Sequence, residues 1–129
     1  MECKLKVLIA DNSTELGQLS AKVLTSYGME VVLCDKDGKE VLEKIKALKP
    51  DVVLADVFMP NLDILGVISG INESNIKKPP MVMAMSSYDN PNLEREALEA
   101  GAAYYFIKPF DINTMAERII KLSGWKSDS

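Results

Sequence analysis

The sequence predicts an α/β domain built around a parallel sheet, and three observations favour this fold class. Short apolar runs alternate with longer amphipathic segments along the whole chain. Gly, Pro or Asp-Gly signals separate most of these runs from their neighbours, as expected at the ends of strands and helices. Strands that alternate with helices imply parallel pairing through right-handed crossovers.

Five runs are predicted to be strands because buried parallel strands are short and continuously apolar. They are residues 5–10, 30–34, 51–55, 81–85 and Tyr104–Ile107. Five strands of this kind fit a flavodoxin-like (βα)5 three-layer sandwich with the parallel strand order 2-1-3-4-5. In this order the ligand site lies at the switch point between strands 1 and 3.

A helix is predicted after each strand. The first is capped by Ser13 or Thr14 and runs to about Tyr27, with Leu16, Leu19, Val23 and Leu24 at helical spacing. The second, 40–48, follows an Asp37-Gly38 turn, and the third is 64–71. The fourth runs from Pro91 to Ala100, and the last is 111–122, with Ile112, Met115, Ile119 and Ile120 as buried candidates.

Composition excludes several classes of function. The chain has 129 residues, 47% apolar and 26% charged, with a net charge of −4, so direct nucleic-acid binding is not expected. Histidine is absent, and Cys3 and Cys34 lack metal-ligand spacing, which argues against zinc. We expect free thiols, no signal peptide, no membrane span and a cytoplasmic location. The expected domain is 1–123, with 124–129 as a tail or the start of a linker.

Polar side chains follow four of the strands. Asp11-Asn12, Asp56, Ser86 and Lys108 each stand at a strand's carboxyl end, where open α/β sheets bind ligands. Asp and Asn oxygens suit Mg²⁺, a carboxylate can act as a phosphoryl acceptor, and a lysine can neutralise the transferring oxygens. The pattern suggests a cation-assisted phosphoryl site with Asp56 as the nucleophile.

Each of these residues also has a plain structural interpretation. Asp11 could simply cap the first helix, Ser86 could be a loop residue, Lys108 could be solvated, and Tyr105 could belong to the core. These alternatives weaken jointly, because four strand ends would have to place reactive groups at one edge by chance.

The motifs resemble those of response-regulator receiver domains. The matching segments are Val7-Leu-Ile-Ala-Asp-Asn12, Asp51-Val-Val-Leu-Ala-Asp-Val-Phe-Met-Pro60, Met85-Ser-Ser87 and Glu99-Ala-Gly-Ala-Ala-Tyr-Tyr-Phe-Ile-Lys-Pro-Phe110. They cover the chain in the family's order. Within the family, the segments 74–78 and 105–111 are most similar to receivers of the sporulation-initiation master regulators of spore-forming Firmicutes.

The resemblance implies a role for each matching residue. Asp56 would accept a phosphoryl group from a histidine kinase or phosphotransfer protein, and Lys108 would pair with that group. Ser86 and Tyr105 would switch conformation. Mg²⁺ would be held by side chains and one backbone carbonyl, namely Asp11, Asn12, Asp56 and the carbonyl of Phe58. The Lys108-Pro109 bond is expected to be cis.

The resemblance also implies partners. Helix 4, strand 5 and helix 5 would form the output face and the surface of any homodimer. A DNA-binding effector domain would follow this chain. We do not expect the protein to be an enzyme in the usual sense. The expected chemistry is self-catalysed acceptance of a phosphoryl group and slow autodephosphorylation.

Two positions depart from the family pattern. Asn12 stands where an acid is usual, and losing one charge about 4 Å from the cation is expected to weaken binding about tenfold. Ile64 stands where Gly is usual, which would be strained if the position needs positive φ. These departures motivate an alternative function, a degenerate receiver that binds partners independently of phosphorylation. A third hypothesis is a flavodoxin-like cofactor protein or a small hydrolase. The loop after the first strand argues against it, because this loop lacks the Gly-rich sequence that would bind phosphate.

Overall fold

A computed structural model of the protein describes residues 4–11 and 14–125 and confirms the predicted α/β fold. Five parallel strands form one sheet in the order β2-β1-β3-β4-β5. The strands are β1 (Lys6–Ile9), β2 (Glu30–Leu33), β3 (Val52–Asp56), β4 (Met81–Ser86) and β5 (Tyr104–Ile107). The helices are α1 (Glu15–Ser26), α2 (Gly38–Leu48), α3 (Ile64–Glu73), α4 (Pro91–Ala100) and α5 (Ile112–Ser123).

The sheet is covered on both faces, which gives three layers. Strand residues such as Leu8 and Val53 point toward α2, α3 and α4, and their neighbours Val7 and Leu54 point toward α1 and α5. Because both faces are buried, the central strands carry apolar side chains at successive positions. The edge of the sheet at which the predicted polar side chains lie therefore rests on a packed core.

Most element boundaries match the prediction, and two local differences lie in the helices. Helix α2 begins at Gly38, not at residue 40, because the Asp37 side chain caps it by accepting hydrogen bonds from the Lys39 and Glu40 N–H groups. On α1, Leu24 is fully buried and Leu16 and Val23 are half-buried, as their helical spacing predicts, but Leu19 is 42% exposed. The small residues Gly17 and Ser20 are buried as well.

Other predictions about the ends of the chain fall partly outside the described residues. Of the α5 candidates, Met115 and Ile119 are fully buried, and Ile112 and Ile120 are partly buried. Trp125 packs against the core, while Cys3 and residues 126–129 of the predicted tail lie outside the described ranges. Within 4–11 and 14–125, no helix is both long and apolar enough to cross a membrane.

Candidate functional site

The carboxyl edge of the sheet brings the predicted acidic, hydroxyl and lysine side chains together. Parallel pairing sets Asp56 opposite Met85 on β4, and the Lys108 N–H donates to the Ser86 carbonyl at 2.8 Å. Asp11 lies just beyond β1, whose ladder with β3 continues through the bond from the Ala10 N–H to the Leu54 carbonyl, 2.8 Å. Asp11, Asp56 and Ser86 are buried polar residues at this edge, where the sequence predicted that they would meet.

Asp56 is held between two ammonium groups. Lys108 Nζ lies 2.7 Å from Asp56 Oδ1, and Lys36 Nζ lies 2.7 Å from Oδ2. The Asp56 residue is 6% exposed. Each of its carboxylate oxygens therefore forms a close, charge-assisted contact with a lysine ammonium group in a largely buried position.

Lys36 is the site residue that the sequence analysis missed. It stands in the β2–α2 connection, three residues beyond the last residue of β2, and its side chain extends past β1 to reach β3. The hydrogen bond to Asp56 raises the pKa of Lys36, partial burial opposes this, and the charges of Asp56 and Asp11 add to the rise. A usable signal existed, because β2 also ends at this edge and Lys36 follows it closely.

The loop that carries Lys36 is fixed against the loop that follows Asp56. The Asn61 amide donates to Asp37 Oδ2 at 2.6 Å, and the Gly38 N–H donates to the Pro60 carbonyl at 3.2 Å. The Asn61 hydrogen bond, ahead of the α2 N-terminal amides, lowers the pKa of Asp37. A Cβ at position 38 would overlap the carbonyl oxygen of Leu62, so Gly is required for this close approach.

Ile64 is not strained, which corrects the expectation raised by its departure from the family pattern. It begins α3, is fully buried and donates its N–H to the Val57 carbonyl at 3.1 Å. The positive φ in this loop belongs to Asn61, at 69°, a residue type that tolerates the left-handed region.

Asp11 supports the start of α1, although the residue that caps the helix is Thr14. Its carboxylate accepts hydrogen bonds from the Thr14 N–H at 3.2 Å and the Thr14 hydroxyl at 2.7 Å, while Thr14 itself caps α1 through the Gly17 N–H. Asp11 thus supports the start of the helix and also faces the site. Asn12, predicted as a cation ligand, and Ser13 lie outside the described residues.

The described residues fit a divalent cation poorly in this arrangement. They contain no group of three His, Cys, Asp or Glu side chains suited to a metal. Both Asp11 oxygens accept hydrogen bonds from Thr14, and both Asp56 oxygens contact lysine ammonium groups. Mg²⁺ could reach Asp56 Oδ2 only if Lys36 withdrew, so the Mg²⁺ set of Asp11, Asn12, Asp56 and the Phe58 carbonyl stays a prediction.

Ser86 and Tyr105 converge on the loop after β4. Ser86 Oγ accepts a hydrogen bond from the Tyr88 N–H at 3.0 Å, and the Tyr105 hydroxyl donates to the Tyr88 carbonyl at 3.1 Å. Tyr105 is buried, and the exposed ring of Tyr88 meets the ring of Phe58 edge-on, with centroids 5.9 Å apart. The predicted switch residues are therefore joined through one loop residue. The Lys108-Pro109 bond is cis, as predicted.

Comparisons with a family model and with solved structures indicate the same family. The family model for the response regulator receiver domain matches residues 7–120. The signal receiver domain of NarL from Mycobacterium tuberculosis is similar at 27% identity and TM-score 0.85, over 95% of this chain and 98% of that chain. The receiver domain of Francisella response regulator 1452 is similar at 29% identity and TM-score 0.82, over 94% and 98%. A DNA-binding response regulator of the LuxR family from Staphylococcus aureus shares the fold at 22% identity and TM-score 0.82, over 92% and 98%.

Proposed function

The chain belongs to the response regulator receiver domain family, and from this premise we propose that it is a phosphoacceptor switched by phosphorylation of Asp56. Receiver domains interact with histidine kinases or phosphotransfer proteins, which are the proposed donors here. The observation that carries the proposal is the buried Asp56 carboxylate at the end of the central strand, 2.7 Å from Lys108.

The proposed transfer is an in-line displacement at phosphorus. One Asp56 oxygen forms a bond to phosphorus while the phosphorus–nitrogen bond of the donor phosphohistidine breaks. The bonding electrons remain on the imidazole, whose charge is balanced by a proton from solvent. Lys108 stays protonated and neutralises charge on the phosphoryl oxygens, which is the main contribution that a protein makes to this reaction. We regard this as self-catalysed acceptance with slow autodephosphorylation, not as enzyme turnover.

The proposed switch uses the contacts at Tyr88. A phosphoryl group on Asp56 presents strong acceptor oxygens to the Ser86 hydroxyl. Turning Ser86 toward them weakens its bond to the Tyr88 N–H, and Tyr105 holds the carbonyl of the same residue. Phosphorylation would then shift the population of two loop arrangements and alter the surface made by α4, β5 and α5.

The proposed output is transcriptional, and the proposed partners include a second copy of this chain. We propose a transcriptional output through a C-terminal DNA-binding domain outside this chain, a homodimer through α4, β5 and α5, and a cytoplasmic location. Leu98 and Ile107 are exposed on that surface. The Staphylococcus aureus neighbour supports the fold alone. We also propose a role in sporulation, which is supported by the sequence similarity of segments 74–78 and 105–111 to sporulation regulators.

A second function is favoured by the same ion pairs. Because Lys36 and Lys108 already neutralise Asp56, a degenerate receiver that binds partners without phosphorylation is the alternative. Equal partner affinity with and without a phosphoryl mimic would favour it.

Intact-mass measurement after incubation with acetyl phosphate tests the proposed function. We expect one phosphoryl adduct on the parent protein and none on Asp56→Asn, which keeps the side-chain shape but is a far weaker nucleophile. An adduct of equal yield on Asp56→Asn would contradict the proposal.

A further inference from the structure

Lys36 lies where a cation would have to act on the phosphoacceptor. Its ammonium is 2.7 Å from Asp56 Oδ2, while Lys108 contacts the other oxygen at the same distance. The two carboxylates of the described site, Asp11 and Asp56, are therefore balanced by the two ammonium groups. Asn12 adds no charge to this balance.

We propose that Lys36 replaces the divalent cation at Asp56, so that phosphorylation of this receiver depends little on Mg²⁺. The inference rests on the proposed function of Asp56. It assigns to Lys36 the charge neutralisation that a metal would otherwise supply, and it accounts for an acceptor site with Asn at position 12.

Electrostatics oppose a metal as long as Lys36 stays in place. A divalent cation at Oδ2 would occupy the position of the ammonium and would repel both lysines at short range. Removing one acid from the shell weakens the attraction that would have to offset this repulsion. An ammonium at the same oxygen supplies one positive charge without needing the missing carboxylate.

The chain holds Lys36 in this position through its neighbours. Asp37 caps α2 and binds the Asn61 side chain, and Gly38 packs against the Leu62 carbonyl. These contacts fix the backbone on which Lys36 stands, next to the loop after Asp56. The Lys36 side chain is 35% exposed, so it can move slightly to admit a phosphoryl group.

In the proposed reaction both lysines stay protonated. One Asp56 oxygen bonds to phosphorus, the bond from phosphorus to the donor atom breaks, and its electrons leave with the donor. Lys36 and Lys108 each donate hydrogen bonds to oxygens of the transferring group and of the carboxylate, so charge is neutralised from two sides. Since Lys36 binds the reacting carboxylate, it is assigned here as a catalytic residue.

The test is a Mg²⁺ titration of acetyl phosphate labelling, read as intact mass, with EDTA as the metal-free point. The parent is expected to label in EDTA at a rate within about threefold of that at saturating Mg²⁺. Lys36→Gln is expected to lose about tenfold or more in EDTA, a loss typical of removing one close charge, and to recover with Mg²⁺. Lys36→Arg keeps the charge and is expected to label without metal.

Lys39→Gln is the matched control, because Lys39 is exposed in the first turn of α2, three residues after Lys36, and has no contact with Asp56 among the described residues. It should behave as the parent does. Circular dichroism melting of every variant shows whether a loss of labelling reflects unfolding.

Metal binding gives a readout independent of labelling. Mn²⁺ is titrated into each protein while broadening of the amide signals next to Asp56 is followed by NMR. Lys36→Gln should bind Mn²⁺ about tenfold more tightly than the parent. Two results would overturn the role of Lys36 and leave the proposed function intact. The first is an equal Mn²⁺ affinity of the parent and Lys36→Gln. The second is labelling of the parent that needs Mg²⁺ as strictly as labelling of Lys36→Gln does. No adduct on any variant under any condition would overturn both.

Discussion

The two ends of β3 carry aspartates with opposite surroundings. At the amino end, Asp51 Oδ2 accepts the Lys6 N–H at 2.8 Å, and the Lys6 ammonium reaches the Leu48 carbonyl and, at 3.9 Å, the exposed Glu30 carboxylate. At the carboxyl end, Asp56 is more deeply buried and contacts two lysine side chains.

Under the proposed function, one residue type takes two roles at the two ends of β3, with Asp51 one residue before the strand and Asp56 as its last residue. A carboxylate bonded to a backbone N–H is fixed by the fold and holds neighbouring strands together. A carboxylate that contacts movable ammonium groups can exchange those contacts for a phosphoryl group. The contact partners and the burial, not the residue type, distinguish Asp51 at the structural end of β3 from Asp56 at the proposed chemical end.

The largest expected effect comes from removing the lysine at the chemical end. Lys108→Ala should lower the rate of acetyl phosphate labelling about 100-fold, because one preorganised donor to the transferring group is lost. Lys6→Ala removes a lysine from the structural end and should leave the rate unchanged. Initial labelling rates by intact mass measure both, and equal rates for the two variants would remove the functional distinction between the two ends.

Cys34 is buried just after β2, at the same edge of the sheet as Asp56. Its thiol tests whether every buried group at this edge is reactive. Burial, followed by the nearby charge of Glu40, raises the pKa of Cys34 from 9.0 to about 11. The thiolate fraction at pH 8 is then about 100-fold below that of an ordinary thiol. Peptide-resolved alkylation should therefore be slow at pH 8 and fast only near pH 11.

The same pKa shift has a consequence for stability. Between about pH 9 and about pH 11 the unfolded chain ionises its Cys34 thiol while the folded chain keeps it protonated, so stability should fall across this interval. Cys34→Ala lacks this titration and should show a shallower loss in denaturant midpoints. Fast alkylation of Cys34 at pH 8 in the folded protein would contradict the assignment of an unreactive thiol.

Smaller effects are expected from two glycines. A Cβ at Gly17 would overlap the carbonyl oxygen of Asp11, so Gly17→Ala should destabilise the protein by up to about 3 kcal/mol, as overpacking does. Gly124 has φ of 74° and open space around it, so Gly124→Ala should cost only about 1 kcal/mol, from backbone strain. Urea unfolding compares them, and a greater loss for Gly124→Ala would reverse this ranking.

The sequence predicted the fold and much of the site because both follow from local patterns. Apolar runs marked all five strands, with β5 at the bounds observed, and the polar residues just past them had to meet at one edge. Asp56, Ser86 and Lys108 were identified in this way. The Asp37-Gly38 pair is typical of a turn, and the sequence pattern alone does not show that Asp37 caps a helix that begins at Gly38.

The same reasoning could have placed Lys36 near this edge, where β2 also ends, but not in contact with Asp56. Its contact with Asp56 depends on the reach of a long side chain past β1 and on the Asp37–Asn61 contact between two loops. Similarly, the buried positions of α1 include Gly17, which packs against the Asp11 carbonyl, and Ser20, while Leu19 on the same helix is exposed. These are outcomes of tertiary packing, which hydrophobic spacing along one helix does not encode.

The most direct test of the account locates the phosphoryl group within the chain. Protein labelled with acetyl phosphate is reduced with borohydride, which marks an acyl phosphate, and the peptides are sequenced by mass spectrometry in the parent and in Asp51→Asn. The account predicts one mark, on Asp56, in both proteins. A mark on Asp51, or an unmarked Asp56 in a labelled protein, would contradict the claim that the carboxyl end of β3 is the chemical end.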